Sequence, residues 1–234
     1  MTLHNLLRKI HIFNALEDQD LDELAKRLIQ RRFSCGQVLF HMGDEGGNLY
    51  IIRQGRVKVT IPSSDGEEVI LTILSAGEIL GELSLIDGKP RSATVQAMEE
   101  TNVLVLYRED FLDILRGRFD VVQRVLEVLT QRLRITDISL AESHFLDINS
   151  RLAKKILGLG RDFGIEEENI IRVGVRVTQK DLASMVGATR ESINKQLKVL
   201  REKGIINLTG GHIEILDLVR LARRARTSAE AMGT

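Results

Sequence analysis

The sequence predicts an α+β protein in three parts: an N-terminal β-roll, a long amphipathic helix, and a C-terminal helix-turn-helix followed by a strand pair. Three observations carry this expectation. Short β-branched and aromatic runs recur between Arg31 and Val105 at roughly 8–12-residue spacing, as in barrels and double-sheet rolls. A proline-free helical stretch then runs to Phe145 with an apolar heptad seam. Finally, residues 178–200 read as two helices joined by a tight turn. The parts correspond to residues 1–117, 118–145 and 146–234.

Taken in order, Leu3 to Ile29 reads as short helices, with acidic Glu17, Asp18 and Asp20 opening a segment whose apolar positions are Leu16, Leu21, Leu24 and Leu28. The strand runs are Val38–Phe40, Leu49–Ile52, Val57–Ile61 and Val69–Leu74, separated by glycine-bearing turns. Asp65-Gly66 between two of them signals a hairpin. From Arg108 the pattern turns helical. Val122, Leu126, Leu129, Leu133, Thr136 and Leu140 are spaced 4, 3, 4, 3 and 4, a coiled-coil stripe. A second stripe, Val121, Val125, Val128 and Ile135, lies beside it. A helix with two apolar stripes needs two neighbours, most simply its own β-roll and the same helix of a second chain, which makes this the dimerisation helix of a homodimer. Thr136 is the polar member of that seam.

After Phe145-Leu146-Asp147 a further helix is expected over Ile148–Leu159, then an acidic loop at Glu166-Glu167-Glu168. Thr178 caps the next helix with Asp181 as its capping-box partner. Leu182, Ala183 and Val186 face inward and Gly187 supplies the turn. The second helix buries Ile193, Leu197 and Leu200 and presents Arg190, Glu191, Asn194, Lys195 and Lys198, residue types that read base edges or hold phosphates. Ile205–Leu208 and Ile213–Leu216, joined through Gly210-Gly211, form a wing, so the segment reads as a winged helix-turn-helix that binds double-stranded DNA.

Composition narrows the function. The formal charge is zero, but residues 1–146 carry 17 Lys+Arg against 22 Asp+Glu, and residues 147–234 carry 16 against 11. The basic second part suits a phosphate-bearing partner. A single cysteine, Cys35, excludes a disulfide framework or an iron–sulfur site built from one chain. The five scattered histidines form no metal-binding pair, so no metal site and no metalloenzyme is expected; His41 alone stands in the strand region. No apolar run approaches the roughly 20 residues of a membrane span, and the mixed N-terminus does not read as a signal peptide, so a cytoplasmic protein without membrane contact is expected.

The second chemical signal lies in the roll: Gly81-Glu82-Leu83-Ser84, then Pro90-Arg91-Ser92-Ala93-Thr94. Gly81 permits close backbone approach, the residues after it can open a short helix, and Arg91 offers a fork of donors for phosphate oxygens. Ser92 adds a hydroxyl and Ala93 leaves room for a ligand. Glu82 suits a sugar hydroxyl; a purely structural account would instead join it to Arg91 in a salt bridge.

These residues resemble the CRP/FNR family of bacterial transcription regulators, from about Ile10 to Leu221. The Gly81–Ser84 and Pro90–Thr94 segments look like its phosphate-binding cassette in the cyclic-nucleotide form, and Thr189–Ile193 looks like its recognition helix. The resemblance implies that Glu82 binds a ribose 2′-hydroxyl. It implies that Arg91 and Ser92 bind the cyclic phosphate, with backbone amides at Gly81, Leu83 and Ala93. Thr136 falls where the family places a threonine that contacts adenine. Cyclic AMP is the first expectation; Asp137 departs from the Ser or Asn usual in cyclic-AMP-responsive relatives, and cyclic GMP, a cyclic dinucleotide or no ligand are the alternatives. On the DNA side, Arg190 and Glu191 would read bases, Lys195 would reach a base or phosphate, and Thr178 and Gln179 would contact backbone, with Ser192 and Asn194 on the same helix. The resemblance further implies a palindromic operator read by two subunits, and RNA polymerase as a partner.

Overall fold

The computed structural model describes residues 3–167 and 170–226. The chain forms two compact units, Met1–Thr136 and Asp137–Thr234, whose boundary falls within the longest helix. No helix among the described residues is long and apolar enough to cross a membrane.

The first unit begins with two helices, α1 (Leu3–Lys9) and α2 (Asp18–Arg27). Eight strands follow: β1 (Ile29–Phe33), β2 (Val38–Phe40), β3 (Asn48–Gln54), β4 (Val57–Pro62), β5 (Glu68–Leu74), β6 (Ile79–Leu80), β7 (Thr94–Ala97) and β8 (Thr101–Tyr107). A short helix, α3 (Glu82–Asp87), lies between β6 and β7; α4 (Arg108–Leu115) and α5 (Phe119–Phe145) complete the series. The strands make two antiparallel sheets in the orders β1-β8-β3-β6 and β2-β7-β4-β5. The Asp65-Gly66 hairpin forms, with β4 and β5 paired from Val57↔Leu74 to Pro62↔Glu68.

Two cores explain why β3 and β8 are apolar at successive positions. Side chains alternate faces along a strand. Tyr50, Ile52, Val103 and Val105 point into the roll with Val57, Leu74, Leu80 and Val95. Leu49, Ile51, Leu104 and Leu106 face the other way, onto Leu7, Phe13, Leu21, Leu24 and Phe111 of the helices. Strands buried on both faces read as continuous apolar runs.

The expected second stripe of α5 supports this core only in part. Val121 and Val125 are buried in it and Val128 packs against it, as does Leu129, a residue of the seam. Ile135 is instead 56% exposed, because the apolar contacts of α5 with the roll end near Leu129. Leu126, Leu133 and Leu140 are more than half exposed.

The second unit contains α6 (Ile148–Phe163), β9 (Gly164–Glu167), β10 (Ile170–Val173), α7 (Gln179–Val186), α8 (Arg190–Glu202), β11 (Ile206–Thr209), β12 (His212–Ile215) and α9 (Leu218–Arg224). Its sheet runs β11-β12-β10-β9. The acidic loop expected at Glu166-Glu167-Glu168 is corrected here: Glu166 and Glu167 belong to β9, pairing with Ile171 and Ile170, and Glu168 lies outside the described residues. The polar run misled because an edge strand satisfies its backbone through one neighbour while its side chains stay in water. The core of this unit joins Leu152, Ile156 and Leu157 of α6 to Leu182, Ile193, Leu197, Ile213 and Leu221.

Candidate functional site

In the roll, β6 ends at Leu80, and Gly81, with a φ of +85°, turns the chain into α3. A Cβ at Gly81 would lie 2.4 Å from Arg91 Nη1 and 3.1 Å from the Asn48 carbonyl oxygen, so only glycine permits this approach. Leu85, fully buried, anchors α3, and Arg108 Nε donates to its carbonyl at 2.9 Å. The β2–β3 loop closes on the same helix at Gly46, where any Cβ would collide with Ser84.

Arg91 is 4% exposed. Its guanidinium lies over the Phe40 ring, 4.3 Å from the centroid, and 5.8 Å from that of Tyr50. Nη1 donates to Gly81 O at 2.9 Å, and Nη2 donates to Asn48 O at 2.7 Å and Asn48 Oδ1 at 2.6 Å. Nε is buried without a hydrogen-bond partner. Burial pulls the guanidinium pKa below its ordinary value, while the nearby Tyr50, Glu82 and Asp44 oppose that shift. An arginine nevertheless keeps its proton. The roll therefore holds a buried cation hydrogen-bonded to carbonyl groups, with its Nε unpartnered. A buried charge of that kind is costly unless something anionic joins it.

The structural alternative for Glu82 is not realised: it makes no ion pair with Arg91. Glu82, 2% exposed, accepts a hydrogen bond from Arg132 Nη1 of α5, whose Nη2 donates to Ile79 O at 2.7 Å. Gly81 and Arg91 thus meet directly with Glu82 nearby, Ser84 and Ala93 are buried, and Leu83 and Ser92 are exposed. Thr136 is exposed, its hydroxyl donating to Arg132 O at 2.9 Å, one turn back on its own helix. Asp137, also exposed, begins the second unit.

Three partners escaped the sequence reading. Asn48, the Phe40–Tyr50 pair and Arg132 reach the site from β2, β3 and α5. The one available signal was for Arg132, which stands four residues before Thr136 and so on the same helix face.

In the second unit the helix-turn-helix is built by local chemistry. Thr178 Oγ1 accepts from Asp181 N at 3.1 Å while Asp181 Oδ2 accepts from Thr178 N at 2.9 Å, a reciprocal box at the start of α7. Gly187, φ +67°, ends α7 in the left-handed region. Thr189 caps α8 by accepting from Ser192 N at 3.2 Å, and its hydroxyl donates to Ser192 Oγ at 2.9 Å. Arg190, Glu191, Lys195 and Lys198 are exposed along α8, and Gln179 is half-buried at the start of α7. The outward placement expected of Asn194 is corrected: it is half-buried and its Oδ1 is shut from solvent without a partner, because position 194 adjoins the buried Ile193 and Leu197. A cavity of about 510 Å³ lies beside α8, lined by residues including Asn149, Arg151, Ser192, Lys195 and Gln196. In the C-terminal basic run, Arg220 pairs with Asp217 at 3.8 Å and Arg226 with Asp147 at 3.2 Å.

Comparison with known proteins agrees with both halves. Residues 30–118 match the cyclic nucleotide-binding domain, and residues 150–224 match the Crp-like helix-turn-helix domain. The chain is 36% identical to the CRP-like cAMP-activated global transcriptional regulator of Mycobacterium tuberculosis, over 96% of this chain and 100% of that one. It is 32% identical to the cyclic AMP receptor protein of Thermus thermophilus, over 90% of this chain and 94% of that one. The crystal structure of a CRP-family transcriptional regulator from Thermus thermophilus superposes with a TM-score of 0.73 at 27% identity, covering 86% of this chain and 99% of the other. A buried arginine cradle in a β-roll, a capped helix-turn-helix and full-length similarity together establish that the chain belongs to the CRP/FNR family of DNA-binding transcription regulators.

Proposed function

We propose that this regulator is a cytoplasmic, non-enzymatic homodimer whose β-roll binds cyclic AMP and thereby sets the affinity of its paired helix-turn-helix units for a palindromic operator. The observation that carries the ligand reading is Arg91: a buried guanidinium with an unpartnered Nε, in a cradle no side chain at Gly81 would permit. A cyclic phosphate supplies the missing anion, and a charged bidentate contact in that shielded place is strong. In this reading Ser92 and the amides at Gly81, Leu83, Ser84 and Ala93 complete the phosphate contacts. Glu82 takes the ribose 2′-hydroxyl, and Thr136 with Asp137 meets the base. The similarity to a cAMP-activated regulator and to a cyclic AMP receptor protein supports the choice of nucleotide.

The exposed apolar residues Leu126, Leu133 and Leu140 support a second copy of α5 as the partner of this helix. Two α8 helices then address half-sites one DNA turn apart, with Arg190 and Glu191 reading bases. Lys195, Ser192, Thr178 and Gln179 serve as flanking contacts, and RNA polymerase is the further partner. The ligand can shift DNA affinity only by the difference between its affinities for the two arrangements of the dimer.

The test is calorimetric titration of the purified protein with cyclic AMP and cyclic GMP, with Arg91→Ala as control. Binding of cyclic AMP that is tighter than that of cyclic GMP and lost in the variant is expected. Preference for cyclic GMP would reassign the base, with Asp137 the first residue to exchange. Binding of neither nucleotide, to the wild type or to an Asn48→Ala variant that leaves Arg91 Nη2 without its side-chain acceptor, would overturn the ligand reading and leave the DNA-binding assignment intact.

A further inference from the structure

The hydrogen bonds of Arg91 are unevenly spent. A guanidinium presents five N–H groups, and a phosphate is held best by two parallel ones on adjacent nitrogens. Nη2 belongs to both of the forks this geometry allows, one with Nε and one with Nη1. Nη2 donates twice to a single residue, Asn48 at the start of β3: to its carbonyl oxygen at 2.7 Å and to its side-chain Oδ1 at 2.6 Å. Nε, the other half of the side-on fork, has no partner.

The side-chain bond is not needed to hold the guanidinium in place. The Asn48 carbonyl, the Gly81 carbonyl at 2.9 Å and the Phe40 ring at 4.3 Å already fix three sides of it. The Asn48 side chain therefore engages Nη2, the nitrogen that with the idle Nε would grip an anion. We infer that Asn48 is an intramolecular competitor for Arg91, an amide oxygen standing where a phosphate oxygen of the ligand goes, so that binding requires this side chain to turn away. The inference rests on the reading that an anionic nucleotide binds Arg91. It adds a residue that weakens the site and so raises the ligand concentration at which the regulator responds.

Two substitutions at the same position separate competition from support. Asn48→Ala removes Oδ1 and leaves both carbonyl anchors. Asn48→Asp strengthens the competitor, because a carboxylate binds the guanidinium more firmly than an amide does. Cyclic AMP is titrated calorimetrically into the full-length wild-type protein, both variants and Arg91→Ala, with thermal unfolding of each as a folding control. Competition predicts about tenfold tighter binding in Asn48→Ala and at least tenfold weaker binding in Asn48→Asp, with the Arg91→Ala protein not binding. Binding that appears only in Asn48→Ala supports the same conclusion. If wild type binds through Arg91 and a folded Asn48→Ala binds equally or more weakly, Asn48 is a support or a bystander and this inference falls while the nucleotide reading stands. If neither wild type nor Asn48→Ala binds, or Arg91→Ala binds as wild type does, the nucleotide reading falls and takes this inference with it.

Discussion

The two chemically active regions of this regulator are built in opposite ways. In the β-roll, Glu82 and Arg91 are almost wholly buried, and each is engaged by a partner distant in sequence: Arg132 for one, Asn48 for the other. On α8, Arg190, Glu191 and Lys195 stand in solvent on one helix whose start is fixed by the adjacent Thr189. The first region is assembled by tertiary structure and is internally occupied; the second is assembled locally and is open. A buried site with occupied donors can respond to a ligand by exchanging partners, whereas an exposed helix face responds to where its fold carries it. That division of labour suits a sensor joined to a reader.

The largest effect expected from breaking the contrast is at Arg91. Arg91→Ala should weaken cyclic AMP binding by about 100-fold or more, the roughly 3 kcal/mol typical of truncating a buried charged contact, as read by calorimetry. A pair of glycines sharpens the comparison next. In Gly81→Ala the new methyl meets Arg91 and the Asn48 carbonyl, so nucleotide binding should be lost as in Arg91→Ala. In Gly187→Ala nothing lies within 4 Å of the new Cβ, so only left-handed strain remains, about 1–2 kcal/mol of stability by urea unfolding. Arg190→Ala should cost about 1–3 kcal/mol on a matched site and relax preference at one base position. An equal loss on matched and random DNA, measured by fluorescence anisotropy, would remove its base-reading role. Thr178→Ala, which breaks the capping box of α7, should cost about 1 kcal/mol of stability.

The smallest expected effect depends on pH. The backbone N–H of Ser150 holds the Asp147 carboxyl below its ordinary range, aided by the Ser150 side chain and Arg226. A depressed folded-state pKa contributes stability that is complete above the ordinary aspartate value and is lost as pH falls through the lowered one. The gap in unfolding midpoint between wild type and Asp147→Ala should therefore be widest near neutral pH and narrow on acidification. A gap independent of pH would show that the ionised cap contributes nothing.

The same contrast governs what could be read from the sequence. Helix caps, the Gly187 turn, the apolar positions of α7 and α8 and the wing are short-range patterns, and each stands as written in the chain. The strands of the roll were legible from β-branched runs, and the Gly81 and Arg91 segments from a motif. The partners that set their chemistry were not, because Asn48, Phe40 and Tyr50 reach Arg91 across 41 or more positions of chain through sheet pairing. Glu166 and Glu167 were misread because an edge strand needs no apolar side chains, and Asn194 because its neighbours on the helix are core residues.

The account turns on coupling between the regions. The most direct test measures the affinity of the full-length protein for a palindromic site, selected in vitro from random DNA, with and without saturating cyclic AMP. The account predicts that cyclic AMP tightens binding about 5- to 150-fold in wild type, the usual range of allosteric coupling, and leaves Arg91→Ala unchanged. Cyclic AMP that binds the roll without altering DNA affinity, or that acts equally on Arg91→Ala, would contradict it.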